Sequence, residues 1–509
     1  MATEKNEFVV SPKTKKIIKF IPPDGGWGWM VLLGTAMSNM FNSSMLSLFS
    51  LVYGDALEAM GHRTQGAAIV ISSMMFVSNF GGPMAGAVVK LTSSRFVAIT
   101  GACSCTAGIF LSGFSTTIWH LILTYGVLFG LGFGFIQNSS FVAINSYFKL
   151  KKSRAVGLAN VGTGIGQTIM PHVVRYFLEN YGLRGTCMLL SSLSLHGVAG
   201  TMLIQPVEWH MKKVEEEVLV DESQPLLQEK KEDAVVTTTS QSNGDARKQK
   251  NGHINSKRTL SNNVQNGEKA YKTDATGKNS SSHLKCFVSG LTKNLYDLFG
   301  ISLLSNMRFL NVVIGTALAV TSIQNFSMLF PFFLQKVASM DKQQTANCMS
   351  AVAGADIAGR LILPIFQDKY KIKARWIIIM TSIWLIVVRQ ILAFQTNIDV
   401  LIFMSCLYGV GRSMIIVGRN IAISENCRMD QVPAAVGLGM LTMGIIVPPV
   451  GYFLGWIRDY SGSYITCITA QNMLLVILLI TWIPDMLYLI KKETRQKKLD
   501  AEQTKHSAD

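Results

Sequence analysis

Residues 345–366 read TANCMSAVAGADIAGRLILPIF. The stretch is long and apolar enough to cross a bilayer as a helix, which takes about 20 residues, yet it carries Asp356 and Arg360. Four residues apart on a 3.6-residue helix, the two share a face one turn apart. Either charge alone near the middle of a bilayer costs about 2.5–3.5 kcal/mol on insertion scales, so such groups face a bundle interior or a wet cavity. Two readings stay open. The pair is a self-neutralised structural link between helices, or it is a protonatable carboxylate beside an anion-holding guanidinium. Arginine keeps its charge, so in the second reading any proton rides on the aspartate.

The surrounding chain sets the context. Of 509 residues, 49% are hydrophobic and only 15% charged, which reads as a membrane protein. Apolar windows of bilayer length fall near 30–53, 66–89, 96–114, 121–144, 155–178 and 186–204. After a long polar stretch, six more follow near 309–334, 345–366, 376–394, 401–423, 433–454 and 464–489. The fold class expected is an all-α membrane protein of twelve transmembrane helices in two six-helix halves. Its parts are an N-terminal tail (1–26), a first half (27–204), a linker (205–308), a second half (309–490) and a C-terminal tail (491–509).

The net charge of +16 would suggest nucleic acid in a soluble chain, but here the basic residues cluster in short segments between spans. No nucleic-acid partner is expected; the lipid bilayer is. With both termini in the cytoplasm, roughly 22 Lys and Arg fall on the cytoplasmic side against about 5 opposite, the positive-inside bias. The richest turns are Lys149–Arg154 and Lys369–Arg375. Residues 205–308 are polar, with three glutamates at 215–217, and read as a disordered cytoplasmic linker. HLKCFVSGLTKNLYDLFG at 283–300 reads as an amphipathic piece able to rest on the membrane surface. Sequons at Asn42, Asn138 and Asn325 lie inside spans and that at Asn279 lies in the linker, so no glycan is expected. Cys103 and Cys105 would point to different faces of a helix, and the eight histidines show no metal spacing. No metal, disulfide framework or cofactor is expected, and no catalytic motif is present. Gly162-Thr163-Gly164-Ile165-Gly166 looks phosphate-like but lies within a span rather than after a strand.

The halves echo each other. Ala155-Val156-Gly157-Leu158 opens span five and Ala435-Val436-Gly437-Leu438 opens span eleven, each followed by a glycine at the same seven-residue step, Gly164 and Gly444. Related halves are the arrangement that holds a substrate between them near the midplane. Candidate cavity residues are Asn39, Asn42, Ser43 and Ser47 as a polar stripe on span one, Gln137 and Asn138 in span four, Gln324 and Asn325 in span seven, and Arg412 in span ten. Arg412 and Arg419 are seven apart and share a face, and Arg389 lies in span nine. Each polar residue also reads as interhelical glue. Gly126, Gly130 and Gly134 line up as a close-packing face.

Pro23-Asp24-Gly25-Gly26-Trp27-Gly28-Trp29, entering the first span, resembles the signature of the monocarboxylate transporter family within the major facilitator superfamily. Tyr147-Phe148, the basic turn and Ala155-Val156-Gly157-Leu158-Ala159 resemble a second family element. The resemblance covers both halves and excludes the tails and linker. It implies a carrier that exposes a central site alternately to either side, with Asp356 and Arg360 as the pair that couples proton and substrate anion. Proton-linked members also place a lysine in the first helix, where this chain has Ser47.

The expected function is therefore a plasma-membrane, multi-pass solute carrier, not an enzyme. It would move a small monocarboxylate or related organic anion, with H+ symport left open by Ser47. Two alternatives stand beside it: a proton-independent facilitator of an amino acid, a carnitine- or creatine-like solute or a thyroid-hormone-like solute, and a non-transporting membrane receptor or scaffold. The resemblance also leaves room for a single-span ancillary membrane protein as partner.

Overall fold

The computed structural model describes residues 14–61, 63–219 and 298–506. Within them the chain forms twelve long helices, each close to an expected span. In the first half, α1 (28–59) is divided by a π-helical turn at Asn39–Ser43. It is followed by α2 (Arg63–Leu91), α3 (Ser94–Ser112) and α4 (Ile118–Tyr147). One helical run, Lys152–Met202, supplies both α5 and α6, because Gly182 turns the chain at φ 64° and ψ −174°. That region is open essentially to glycine alone, so the residue type fixes where α5 ends.

In the second half α7 is Met307–Lys336, α8 Lys342–Tyr370, α9 Ala374–Ala393, α10 Ile398–Ser424, α11 Val432–Ser461 and α12 Tyr464–His506. Among the described residues, nine helices are apolar and long enough to cross a membrane; α1, α5 and α6 fill the remaining places in the first half. Helix starts carry the expected chemistry. Asp341 and Gln344 form a reciprocal capping box at the head of α8, with Gln344 N–H donating to Asp341 Oδ1 at 2.6 Å and Asp341 N–H to Gln344 Oε1 at 3.2 Å.

Each half packs as its own bundle, and the halves meet along two seams: α2 against α11, and α5 against α8. Small residues make both seams close. A Cβ on Gly82 would lie 2.7 Å from Met440 Cβ, and one on Gly164 would lie 2.6 Å from Ile357 Cγ1. These approaches fall in the part of each helix nearer the basic turns 149–154 and 369–375. Toward the other end, Cβ atoms on Gly354 of α8 and Gly455 of α11 would meet nothing within 4 Å. The core follows suit. One buried cluster, with Phe49, Tyr125, Phe129 and Leu190, fills the first half's own interior, whereas Phe141, Tyr147, Phe148 and Val156 join the second half's core.

Three boundaries differ from expectation. Residues outside the helical halves contain a two-stranded sheet, β1 (Thr14–Ile21) with β2 (Lys212–Leu219), and a short helical turn at Val207–Trp209. Hydrophobic periodicity assigns no structure there. The linker's far end is ordered as well, with a 3₁₀ turn at Ile301–Ser305. Finally, α12 runs on to His506, so the expected tail 491–509 is mostly helix; its Lys-, Glu- and Gln-rich sequence has high helix propensity. Most of the expected amphipathic piece at 283–300 lies outside the described residues.

Candidate functional site

The capping box fixes the start of α8, and 15 residues on, at the middle of this 29-residue helix, sits Asp356. Its Oδ2 receives Arg360 Nη2 at 2.6 Å, and both side chains are almost wholly buried, 4% and 3% exposed. Arg412, near the middle of α10, places Nη1 3.8 Å from the same Oδ2 and is 24% exposed. The other carboxylate oxygen, Oδ1, is buried without a hydrogen bond. Arg360 also reaches across the molecule: its Nη1 donates to the backbone carbonyl of Asn160 on α5 at 2.7 Å. One carboxylate thus faces two guanidinium groups at mid-helix depth, and one of those groups is tied to the opposite half.

The candidate residues of span one divide. Asn39 Nδ2 donates to Ala159 O at 3.0 Å, Ser43 Oγ to Asn39 Oδ1 at 3.2 Å, and Gln137 Nε2 to Ser43 Oγ at 3.0 Å, a chain linking α1, α4 and α5. Asn42 instead faces α6, accepting from Ser194 Oγ at 2.7 Å, and is fully buried. Ser47 donates to Ser44 O at 2.8 Å within its own helix. Asn138 is buried in the α2–α11 seam, donating to Gly82 O and Pro433 O, each at 3.2 Å. Asn325 donates to Thr321 O at 2.9 Å, and Gln324 is exposed. Among the described residues, none of Asn42, Asn138, Ser47, Gln324 or Asn325 has a side-chain hydrogen bond to Asp356, Arg360 or Arg412.

Arg389 lies apart as well. It is fully buried, donates to Ser322 Oγ at 2.7 Å, and stacks its guanidinium over Phe326 and Tyr408 at 4.7 and 5.2 Å from the ring centres. Gly130 and Gly134 pack α4 on α2, as their alignment suggests: Cβ atoms there would lie 2.9 Å from Met74 O and 2.5 Å from Ser78 O.

The signature around Asp24 has a positional role. Asp24 Oδ1 accepts from the successive N–H groups of Lys149, Leu150 and Lys151 at 2.7, 2.8 and 3.4 Å, while Asp24 N–H donates to Tyr147 O at 3.1 Å. The two family-like motifs therefore bind each other, and the first fixes the turn that launches α5. Trp27 donates to Leu203 O at 3.1 Å and stacks on His210, while Trp29 remains exposed. Gly26 adopts φ 55°, and a Cβ on Gly28 would crowd Phe148 at 3.0 Å, so both glycines are needed where they stand. Asp24→Ala leaves three exposed N–H groups to solvent and is expected to cost about 0.5–2 kcal/mol, as loss of a helix-capping side chain does. The check is the thermal-unfolding midpoint of the detergent-solubilised protein, which should fall; an unchanged midpoint would mean that solvent replaces the carboxylate.

Sequence reasoning missed a second set of inter-half contacts at the basic end. Asp368, at the foot of α8, accepts from Ser153 N–H at 3.1 Å and Arg154 N–H at 2.9 Å, capping α5 from the other half; Arg154 Nε lies 3.6 Å away. Lys152 donates to Ser424 Oγ at 2.5 Å. Burial pulls the Lys152 amine down to about 8, and burial pushes the Glu425 carboxyl up. Glu425 in turn accepts from Ala374 N–H at 3.0 Å. The signal available was the density of charge in the two basic turns, which topology alone accounted for. No group of three or more potential metal ligands is present among the described residues.

Comparison with known proteins agrees with this architecture. The family described as Major Facilitator Superfamily matches residues 30–452 and 312–506. The chain is 32% identical to rat (Rattus norvegicus) monocarboxylate transporter 13 over 186 residues, 36% of this chain and 44% of that protein. It is 30% identical to mouse (Mus musculus) monocarboxylate transporter 2 over 187 residues, 37% of this chain and 39% of the relative. The matched region thus spans less than half of these relatives' length. Among solved structures, the human organic anion transporter MFSD10 (TETRAN) superposes with a TM-score of 0.58 at 12% identity, covering 91% of this chain and all of that one. The E. coli fucose:proton symporter FucP gives 0.57 at 12% identity, covering 89% and 96%. At that identity the likeness is one of fold. From the twelve-helix, two-half architecture and these matches, the chain belongs to the Major Facilitator Superfamily and is related within it to the monocarboxylate transporters.

Proposed function

We propose that the chain is a plasma-membrane carrier that moves a small organic anion bearing a carboxylate by alternating access. The observation that carries this reading is the Asp356–Arg360–Arg412 cluster, a cationic excess at mid-helix depth whose one partly exposed member, Arg412, is held only by a 3.8 Å contact. A carboxylate can replace that weak contact with a bidentate pair. Positive-inside bias puts the basic turns, and both termini, in the cytoplasm. Because the described seams lie at that end, the conformation is one closed to the cytoplasm. Asp356 Oδ1, buried without a partner, is the acceptor a co-transported proton would use.

A proton-independent facilitator is the second reading. Ser47, bonded to its own helix, offers no cation, and Arg412 supplies one that needs no protonation change. Uptake of labelled lactate, pyruvate, carnitine, creatine and aromatic amino acids at two external pH values tests both. Arg412→Gln is expected to reduce carboxylate uptake at least tenfold with surface amount unchanged. Asp356→Asn is expected to remove any pH response. Full-rate uptake by Arg412→Gln would overturn the assignment of the anchor. A receptor or scaffold acting through the 205–308 linker predicts no flux from any of these solutes. Co-expression with a single-span membrane protein that raises surface amount would identify an ancillary partner.

A further inference from the structure

Seven residues beyond Arg412, roughly 10 Å along the same face of α10 toward the basic end, lies Arg419. Its contacts differ from those of the buried arginines described above. Arg360 has Asp356, and Arg389 has a hydroxyl and two rings. Arg419 is half-buried; among the described residues its Nη1 donates to the thioether of Met443 at 3.8 Å, and its Nε, like those of Arg360 and Arg389, is buried without a partner. No carboxylate pairs with it among the described residues.

Its neighbours are those of the two seams. Arg360 of α8, the helix packed on α10, holds the carbonyl of Asn160 in the α5–α8 seam. Met443 precedes Gly444, where a Cβ would lie 2.9 Å from Asn79 Cβ in the α2–α11 seam. Arg419 therefore stands between the seams, on the side that must part for the cytoplasmic end to open. A half-buried guanidinium kept there without a carboxylate partner is available to take one in another state of the cycle.

We infer that Arg419 is a second carboxylate station on the transport path, partly covered while the basic end is closed and fully uncovered when the seams separate. This rests on the carrier reading above. A carboxylate held by Arg412 in the present conformation passes two turns along α10 to Arg419 before release, and a carboxylate arriving from the cytoplasm binds Arg419 first. No covalent step is involved, and the ligand class is the same as at Arg412.

The test uses the full chain in oriented proteoliposomes with labelled pyruvate as probe. The quantity read is the half-saturating concentration for trans-stimulated exchange, varied separately on each face. Arg419→Gln is expected to raise it at least tenfold on the cytoplasmic face and leave it within twofold on the other. Arg412→Gln is expected to raise it on both. Arg419→Lys, which keeps a cation, should stay within threefold of wild type on both faces and serves as the readout should the glutamine variant fail to fold. Equal changes on the two faces, or none on either, for the glutamine variant would overturn the second station. For the lysine variant, an equal loss on both faces would do the same. If the wild-type chain exchanges no pyruvate while Arg419→Gln behaves identically, the carrier reading for monocarboxylates fails, and the station with it.

Discussion

Arg360→Gln is expected to abolish carboxylate transport and to reduce the amount of folded protein. Removing the guanidinium leaves Asp356 almost wholly buried with only the 3.8 Å contact to Arg412 and one unpartnered oxygen. Breaking a buried pair from one side costs about 3–5 kcal/mol, because the remaining charge is left uncompensated. The same change removes the donor to Asn160 O, one of the polar links between the halves. Two measurements separate these effects. Thermal unfolding in detergent reports the stability loss, and the double variant Asp356→Asn with Arg360→Gln should recover most of it, because no lone charge then remains. Uptake by the double variant should stay absent if the pair takes part in transport. A double variant that carries solute at the wild-type rate would show that the pair is only a structural link.

The second large effect is expected from a residue with no functional groups. A Cβ on Gly157 would collide with the backbone carbonyl of Arg360 and lie 2.9 Å from Pro364 Cγ. Backbone cannot give way as a flexible side chain does, so Gly157→Val should push α5 off α8 at the basic end. Overpacking of this kind costs roughly 1–3 kcal/mol, enough to shift a conformational equilibrium roughly five- to 150-fold toward the state in which the seam is already open. Uptake should fall at least tenfold, and a cysteine introduced beside the seam should become more reactive from the cytoplasmic side. Gly455→Val is the control, since a Cβ there meets nothing within 4 Å. Unchanged reactivity in the Gly157 variant would mean that the seam does not part at this place.

The architecture was legible because bilayer length imposes itself on composition: each expected span has its helix, and the kink at Gly182 falls between spans five and six. The pair on α8 was legible for the same reason, since a charge inside an apolar window is conspicuous and a four-residue spacing dictates a shared face. What periodicity could not supply was the direction each polar residue takes within a bundle. Asn42 and Asn39 are three residues apart on one stripe, yet Asn42 turns to α6 and Asn39 to α5. A π-helical turn over Asn39–Ser43 shifts the register locally, which a regular 3.6-residue wheel does not represent. The basic turns illustrate a different limit. Their charge indicated a side of the membrane, but that Asp368 caps α5 depends on two groups 215 residues apart in sequence arriving at one place. The strand at Lys212–Leu219 was hidden because its partner lies at the other end of the first half.

Gly182 has a mechanical corollary. Since a lone residue replaces a connecting loop, α5 and α6 share no slack, and neither can slide along its axis without dragging the other. Lifting α5 from α8 must therefore carry α6, and α1 packed against the two, as a unit. In the cycle proposed above the first half would pivot in one piece, so that parting the polar contacts at the basic end would also move the far mouth of the bundle.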